Sequence, residues 1–177
     1  MSKKHYIITA VTLGIVAATS GLLIGLTNLA TAKKIDENKQ LKIKDGISEI
    51  YSNSDLKYTE ISFSGEYEYV KKAYKVNQSN DEPLGYAFQT SGSNVYGKVE
   101  LIVGFVNGSG VPFVFKGISV ITNEQTYNTT LEDEYIVPLN EDQTKIDDVK
   151  CGATYGAKLV RAMIEDSTKA AEEVCGA

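Results

Sequence analysis

The stretch Asp148-Val149-Lys150-Cys151-Gly152-Ala153-Thr154-Tyr155-Gly156 combines residue types and spacing that could do chemistry. It is a glycine-containing turn leading into an apolar-periodic segment. Such a turn presents free backbone N–H groups and the positive end of a helix dipole, an arrangement suited to an anion such as a phosphate. The plainer reading of Thr154 is a helix N-cap. Lys150 stands beside the turn and Lys158 one turn further on, both of the sign an anion would require.

The rest of the composition narrows that chemistry by exclusion. His5 is the single histidine, and Cys151 and Cys175 are the only cysteines among 177 residues. Beyond its first few residues the chain therefore has no imidazole to serve as base or ligand. Ser- or Cys-based hydrolysis through a histidine is excluded, as are His-ligated zinc and Cys-x-x-Cys-His haem attachment. Two thiols cannot hold an iron–sulfur cluster that usually takes four. Carboxylates, hydroxyls, amines and eleven tyrosines remain. Redox work would need a borrowed cofactor.

The elements that must position this turn can be read from the pattern. Tyr6 to Thr31 contains no charged residue, and about 20 apolar residues suffice to cross a bilayer as a helix. Lys3, Lys4 and His5 precede it, which predicts a cytoplasmic N-terminus by the positive-inside tendency. The bulk of the chain is then extracytoplasmic, in a single-pass cell-membrane protein. A cleaved signal peptide is the competing reading, with Ala30-Thr31-Ala32 as the small-residue site. The apolar run is longer than such peptides usually carry, and no cysteine lies near it for a lipoprotein anchor. Lys3 and Lys4 are the only basic residues before the apolar run. Residues 33–177 therefore hold 16 basic against 23 acidic side chains, a net −7 compared with −5 for the chain. An acidic body without a basic stripe argues against a nucleic-acid partner.

After the apolar run, Ile43, Ile47 and Ile50 mark a short amphipathic helix within Ile35 to Tyr51, with Asp45-Gly46 as an expected interruption. Strands are predicted at Tyr58 to Phe63, through the ribbon holding Tyr67, Tyr69, Tyr74 and Val76, and at Gly85 to Thr90. Between Lys98 and Val120, Val99, Leu101, Val103 and Phe105 alternate on one face, with a turn at Asn107-Gly108-Ser109-Gly110 and a bulge at Gly117. Asn123 to Gln143 reads as polar and irregular apart from Tyr135-Ile136-Val137. Leu159, Val160, Met163, Ile164, Ala171 and Val174 then form one helical stripe. The fold class expected is α+β. Its parts are a cytoplasmic stub and transmembrane helix (1–32), a membrane-proximal helical linker (33–57) and an exported antiparallel-sheet domain (58–177) closed by a C-terminal amphipathic helix.

In this setting Asp148-x-x-Cys151-Gly152-Ala153-Thr154 resembles the flavinylation motif Asp-x-x-(Ser/Thr/Cys)-Gly-Ala-Thr of the FMN-binding domain family. That family includes the G component of Rnf electron-transport complexes, which this chain is most like, and the C component of sodium-pumping NADH:quinone oxidoreductases. The resemblance extends to the N-terminal anchor, Thr-Ala-x-x-Ile-x-Glu-Asn at Thr31 to Asn38, and Gly-Tyr-x-Phe at Gly85 to Phe88. It also takes in Tyr-Gly-x-Val at Tyr96 to Val99 and the terminal helix. It implies FMN joined to Thr154 by a phosphoester that a separate flavin transferase makes. Asp148, Cys151, Gly152 and Ala153 complete the motif, and Tyr155, Tyr96 and Gly97 are further expected cofactor contacts. Where the family often places Glu-Thr-Pro-Gly-Leu-Gly over the flavin, this chain has Glu124-Gln125-Thr126-Tyr127-Asn128-Thr129. Glu124 and Thr126 are therefore expected near the ring, and Tyr127 is either a stacking partner or simply packed. Two departures are Gly156, where many members carry a hydroxyl, and Cys151, where serine is usual.

The resemblance implies a membrane-anchored electron-transfer subunit of an Rnf-type ion-translocating ferredoxin:NAD+ oxidoreductase, rather than an enzyme on its own. It would relay single electrons between neighbouring flavin and iron–sulfur subunits. Two alternatives remain open at this level: a free-standing flavoprotein of extracellular electron transfer, and a pilin- or adhesin-like surface protein without a cofactor. No metal ligand set is expected.

The cysteines give a test independent of the cofactor. A helix over residues 153–174 separates its ends by roughly 30 Å at 1.5 Å per residue, whereas a disulfide needs Cα atoms within about 7 Å. Mass spectrometry of the unreduced protein is expected to find no Cys151–Cys175 bond within one chain. Its presence would rule out a continuous terminal helix.

Overall fold

The computed structural model describes residues 3–107 and 113–175. The expected turn at Gly108 to Gly110 lies outside these. The chain forms two compact units, Met1–Leu41 and Lys42–Ala177, and helix α1 (Lys3–Tyr51) contributes to both.

Over its described residues the first unit is helix alone. It is long and apolar enough to cross a membrane, and its large apolar side chains, including Ile7, Leu13, Ile24 and Leu29, are exposed. Its threonines satisfy themselves. The hydroxyls of Thr9, Thr12, Thr19, Thr27 and Thr31 each donate to the carbonyl four residues back, at 2.8–2.9 Å. No polar group on these side chains is then left facing hydrocarbon without a partner.

The second unit is α+β. Five antiparallel strands follow one another as a meander in the order β1-β2-β3-β4-β5. They are β1 (Leu56–Ile61), β2 (Val70–Gln78), β3 (Pro83–Asn94), β4 (Gly97–Val106) and β5 (Val114–Asn123). Tyr67 and Tyr69 precede β2 rather than lying in it. The predicted bulge is present: Gly104 pairs with Gly117 and Phe105 with Phe115, leaving Lys116 unmatched.

Both faces of this sheet are covered. On one, Ala73, Phe88, Val99, Leu101, Val103, Phe105 and Ile118 pack with α4 (Thr154–Cys175) through Val160, Met163 and Ile164. On the other, Ile43, Ile47 and Ile50 of α1 pack against Tyr74, Val76, Ala87, Ile102 and Ile121. Asp45-Gly46 does not interrupt α1. A Cβ on Gly46 would stand 3.1 Å from Ser119 Oγ, so the glycine lets the helix approach the sheet, and packing overrides its low helix propensity. Polar bonds fix the same contact: Lys42 Nζ donates to the Ile121 carbonyl at 2.9 Å, and Ser119 Oγ to Glu49 at 2.6 Å. The Tyr51 hydroxyl reaches the carbonyls of Tyr86 and Phe105 at 2.9 and 2.8 Å.

Asn123 to Gln143 is not irregular. Helix α2 (Asn128–Leu131), a π-helical turn (Glu132–Ile136) and α3 (Val137–Glu141) run on without a break. Their buried stripe is Leu131, Tyr135 and Leu139, a spacing of four hidden among acidic and polar residues. A 3₁₀ turn (Gln143–Asp147) follows. From α3, Asn140 both accepts from the Ile118 N–H and donates to its carbonyl, each at 2.8 Å, occupying part of the β5 edge.

Two carboxylates on one side of α4 hold the connection between β1 and β2. Asp166 accepts from the Tyr69 N–H at 2.8 Å. Glu173 accepts from the N–H groups of Ser64 and Gly65 at 2.8–3.0 Å and from the Tyr67 hydroxyl. The Tyr67 bond and the Ser64 amide hold the Glu173 carboxyl below its usual range, while the same bond lifts the Tyr67 phenol to about 12. A depressed folded-state value stabilises above the unfolded value, and that stability is lost as pH falls through the folded one. The protection factors of the Ser64 and Gly65 amides, measured relative to the intrinsic exchange rate at each pH, are therefore expected to fall on acidification below about pH 4.3, the ordinary glutamate value, and Glu173→Gln should remove most of that dependence.

Candidate functional site

The motif turn lies at the start of α4, and three stretches converge on it. Tyr96 and Gly97 come from the turn between β3 and β4, Gln125 and Tyr127 from the link between β5 and α2, and Gly152 to Gly156 from the junction itself. Together Tyr96, Gln125, Tyr127, Gly152, Ala153, Thr154, Tyr155 and Gly156 line an open cleft of about 310 Å³. Small-molecule sites commonly begin near this size.

Aromatic rings form its rim. The Tyr96 ring centroid is 5.9 Å from that of Tyr127 and 5.6 Å from that of Tyr155. Tyr127 and Tyr155 are more than half exposed, at 53% and 64%. Exposed, mutually tilted rings around a cleft offer π faces to a flat ligand. Nearby, Val95 is 90% exposed at the tip of the β3–β4 turn.

Polar bonds hold the floor and walls. Buried Gln125 donates through Nε2 to Asn94 Oδ1 at 3.0 Å and to the Gly97 carbonyl at 2.5 Å. Asn94 Nδ2 in turn reaches the Tyr155 carbonyl at 3.2 Å, so the first turn of α4 is tied to the strand turn. Gly97 has φ +135°, and a Cβ there would stand 2.1 Å from the Glu124 carbonyl oxygen. Only glycine permits that crossing of backbones.

Thr154 is the first residue of α4, half-buried, and its hydroxyl donates to the Cys151 carbonyl at 2.7 Å. The opening N–H groups of any helix lack intrahelical acceptors, so this wall of the cleft can receive an anion. Lys150 and Lys158 are exposed on either side. The Gly152 N–H is already taken, by Glu134 Oε2 at 2.7 Å. Arg161 bonds Asp147 at 3.0 Å and Glu165 at 2.9 Å, and the buried Tyr135 hydroxyl donates to the Ile146 carbonyl at 2.7 Å. Burial pushes that phenol well above its ordinary value, so it remains a donor. Together these fix the 3₁₀ turn that feeds the junction.

The structure thus brings Tyr96, Gly152, Ala153, Thr154 and Tyr155 to one cleft. Gly97 contributes its carbonyl from behind. Exposed Glu124 and Thr126 do not line the cleft, and Thr126 bonds the Tyr96 carbonyl through its N–H and hydroxyl at 2.9 and 3.2 Å. The side chains lining the cleft from that segment are Gln125, between them, and Tyr127. Asp148 is exposed at the end of the 3₁₀ turn, and Cys151 is a half-buried free thiol. Gly156 is a packing residue: a Cβ there would stand 2.9 Å from Leu131 Cδ2. Sequence reasoning missed Gln125 and Glu134. The spacing of Leu131, Tyr135 and Leu139 would have revealed the helix that carries Glu134. Among the described residues, no group of three or more His, Cys, Asp or Glu side chains could hold a metal ion.

Residues 1–50 match the family model described as the RnfG N-terminal region. The chain is RnfG-like over that stretch, which contains the apolar helix and also Ile43, Ile47 and Ile50 of the sheet-packing segment. No curated protein matches the chain.

Gln125→Ala would leave the Gly97 carbonyl and Asn94 without their shared donor. It is expected to cost about 1–3 kcal/mol of stability, measurable by urea unfolding, and to loosen Tyr96, visible as faster exchange of its amide.

Proposed function

We propose that the chain is the RnfG-type component of an Rnf complex and carries FMN covalently on Thr154. It is anchored by α1 with its N-terminus in the cytoplasm and the sheet domain outside. The observation that carries this reading is Thr154 itself. It combines the last position of a flavinylation-like motif, the first turn of a 22-residue helix, and the wall of a tyrosine-rimmed cleft.

The residues fit such a group. Tyr96, Tyr127 and Tyr155 offer aromatic surfaces for a flat ring, and the α4 N-terminus with Lys150 and Lys158 suits a phosphate next to the Thr154 hydroxyl. When bound, FMN would supply one-electron redox chemistry, which asks no histidine or thiol of the protein. The chain's own residues then hold and orient. The Gln125–Asn94–Tyr155 bonds keep the rim in place, and covalent attachment prevents loss of a cofactor that could not readily be replaced outside the cell. The partners follow from this role: a flavin transferase during maturation, and neighbouring flavin and iron–sulfur subunits of the complex.

Co-expression with a flavin transferase followed by an unstained denaturing gel under ultraviolet light tests the attachment. The full chain is expected to fluoresce and Thr154→Ala to be dark. A dark wild-type band, or a fluorescent Thr154→Ala, would sink the proposal. Co-purification of other membrane proteins of the complex in mild detergent separates an Rnf component from a free-standing carrier.

A further inference from the structure

We propose that Glu134 is the positioning residue for modification at Thr154, acting through the single peptide group between Cys151 and Gly152. This rests on the attachment proposed above and names the residue that prepares its acceptor.

The geometry is a relay. The Cys151 carbonyl accepts the Thr154 hydroxyl proton at 2.7 Å. The Gly152 N–H, on the other side of the same planar peptide, donates to Glu134 Oε2 at 2.7 Å. In a trans peptide these two groups point in opposite directions, so rotating the peptide breaks both bonds together. Fixing one end fixes the other. The remaining bonds of residues 148–152 are short-range backbone contacts: Asp148 N–H to Lys145, Val149 N–H to Asp147 and Cys151 N–H to Val149. Among the described residues, Glu134 is the only side chain from outside residues 148–154 that bonds the backbone of residues 148–152.

The relay also polarises. A carboxylate on the N–H side draws electron density through the amide towards the carbonyl oxygen, strengthening its hold on the hydroxyl. Thr154 Oγ is thereby held in one rotamer with a lone pair free. The motif glycine has a physical reason here as well. A Cβ on Gly152 would stand 2.7 Å from Thr130 Cγ2 and 3.3 Å from Glu134 Oε2, so any larger residue would push the junction off the helix that carries Glu134. The π-helical turn Glu132–Ile136 places Glu134 on that exposed side while Tyr135 and Ile136 stay buried.

The step served is transfer of FMN from a flavin dinucleotide. The Thr154 Oγ–H bond and the donor's phosphoanhydride P–O bond break, an Oγ–P bond forms, and the proton leaves with the released nucleotide. No electrons are exchanged.

The test uses the full chain in detergent with purified flavin transferase and FAD, following FMN addition by intact mass. Glu134→Gln keeps an oxygen acceptor and loses the charge. Glu134→Asp keeps the charge and loses the reach. Glu134→Gln is expected within about threefold of wild type. Glu134→Asp and Glu134→Ala are expected to lower the turnover of loading about tenfold, the scale of one charge-assisted hydrogen bond, with the KM for the chain unchanged. Exchange of the Gly152 amide, measured without any flavin, should be slow in wild type and Glu134→Gln and fast in the other two. Wild-type turnover in Glu134→Ala, or a Glu134→Gln as slow as Glu134→Ala, would overturn the positioning role. A wild-type chain that takes no FMN would overturn both proposals, whereas loaded wild type with indifferent Glu134 variants defeats this one alone.

Discussion

Strand β4 has almost no solvent face, and the rest of the sheet domain is organised around that fact. Val99, Leu101, Val103 and Phe105 are fully buried towards α4, while Ile102 is fully buried towards α1. A strand burying both faces needs a layer on each, and the chain supplies them from its two ends. Close approach is obtained with glycine: a Cβ on Gly104 would stand 2.5 Å from Ile50 Cγ2. The packing energy is correspondingly concentrated, at about 1.5–3 kcal/mol for each large side chain fully buried.

From this layering the candidate site follows at one rim. Because α4 lies across the sheet through Val160, Met163 and Ile164, its first turn is delivered to the edge where β3 turns into β4 and β5 leaves the sheet. Three connections then meet without any one needing to be long. Their backbones cross so closely that glycine is required at 97 and space is absent beyond hydrogen at 152 and 156. The helix start remains open to the cleft, with hydrogen-bond capacity that the protein's own core does not consume.

The match over residues 1–50 runs through both compact units. Its last residues are not a spacer: Ile43, Ile47 and Ile50 are buried in the sheet domain, and Lys42 and Glu49 bond β5. A helix that begins as an apolar, wholly exposed run thus ends as one wall of the folded domain. The change of environment is written in its composition, from no charge between Tyr6 and Thr31 to an isoleucine stripe among lysines and acids.

The uncharged run by itself determined the apolar helix, and periodicity the α4 stripe, the alternation in β4 and the bulge beside Gly117, because each of these is a pattern local in the chain. The motif turn at the start of α4 was legible for the same reason, since glycine and threonine before an apolar stripe mark a helix start. Tertiary structure alone decided three things. It kept α1 helical through Gly46, where contact with Ser119 and Ile102 outweighs propensity. It made a helix of Asn128 to Glu141, whose four buried residues are diluted by polar neighbours. And it chose Gln125 over Glu124 and Thr126 for the cleft, and Glu134 for the junction, because those contacts join residues far apart in the chain whose meeting depends on how two layers sit across one sheet.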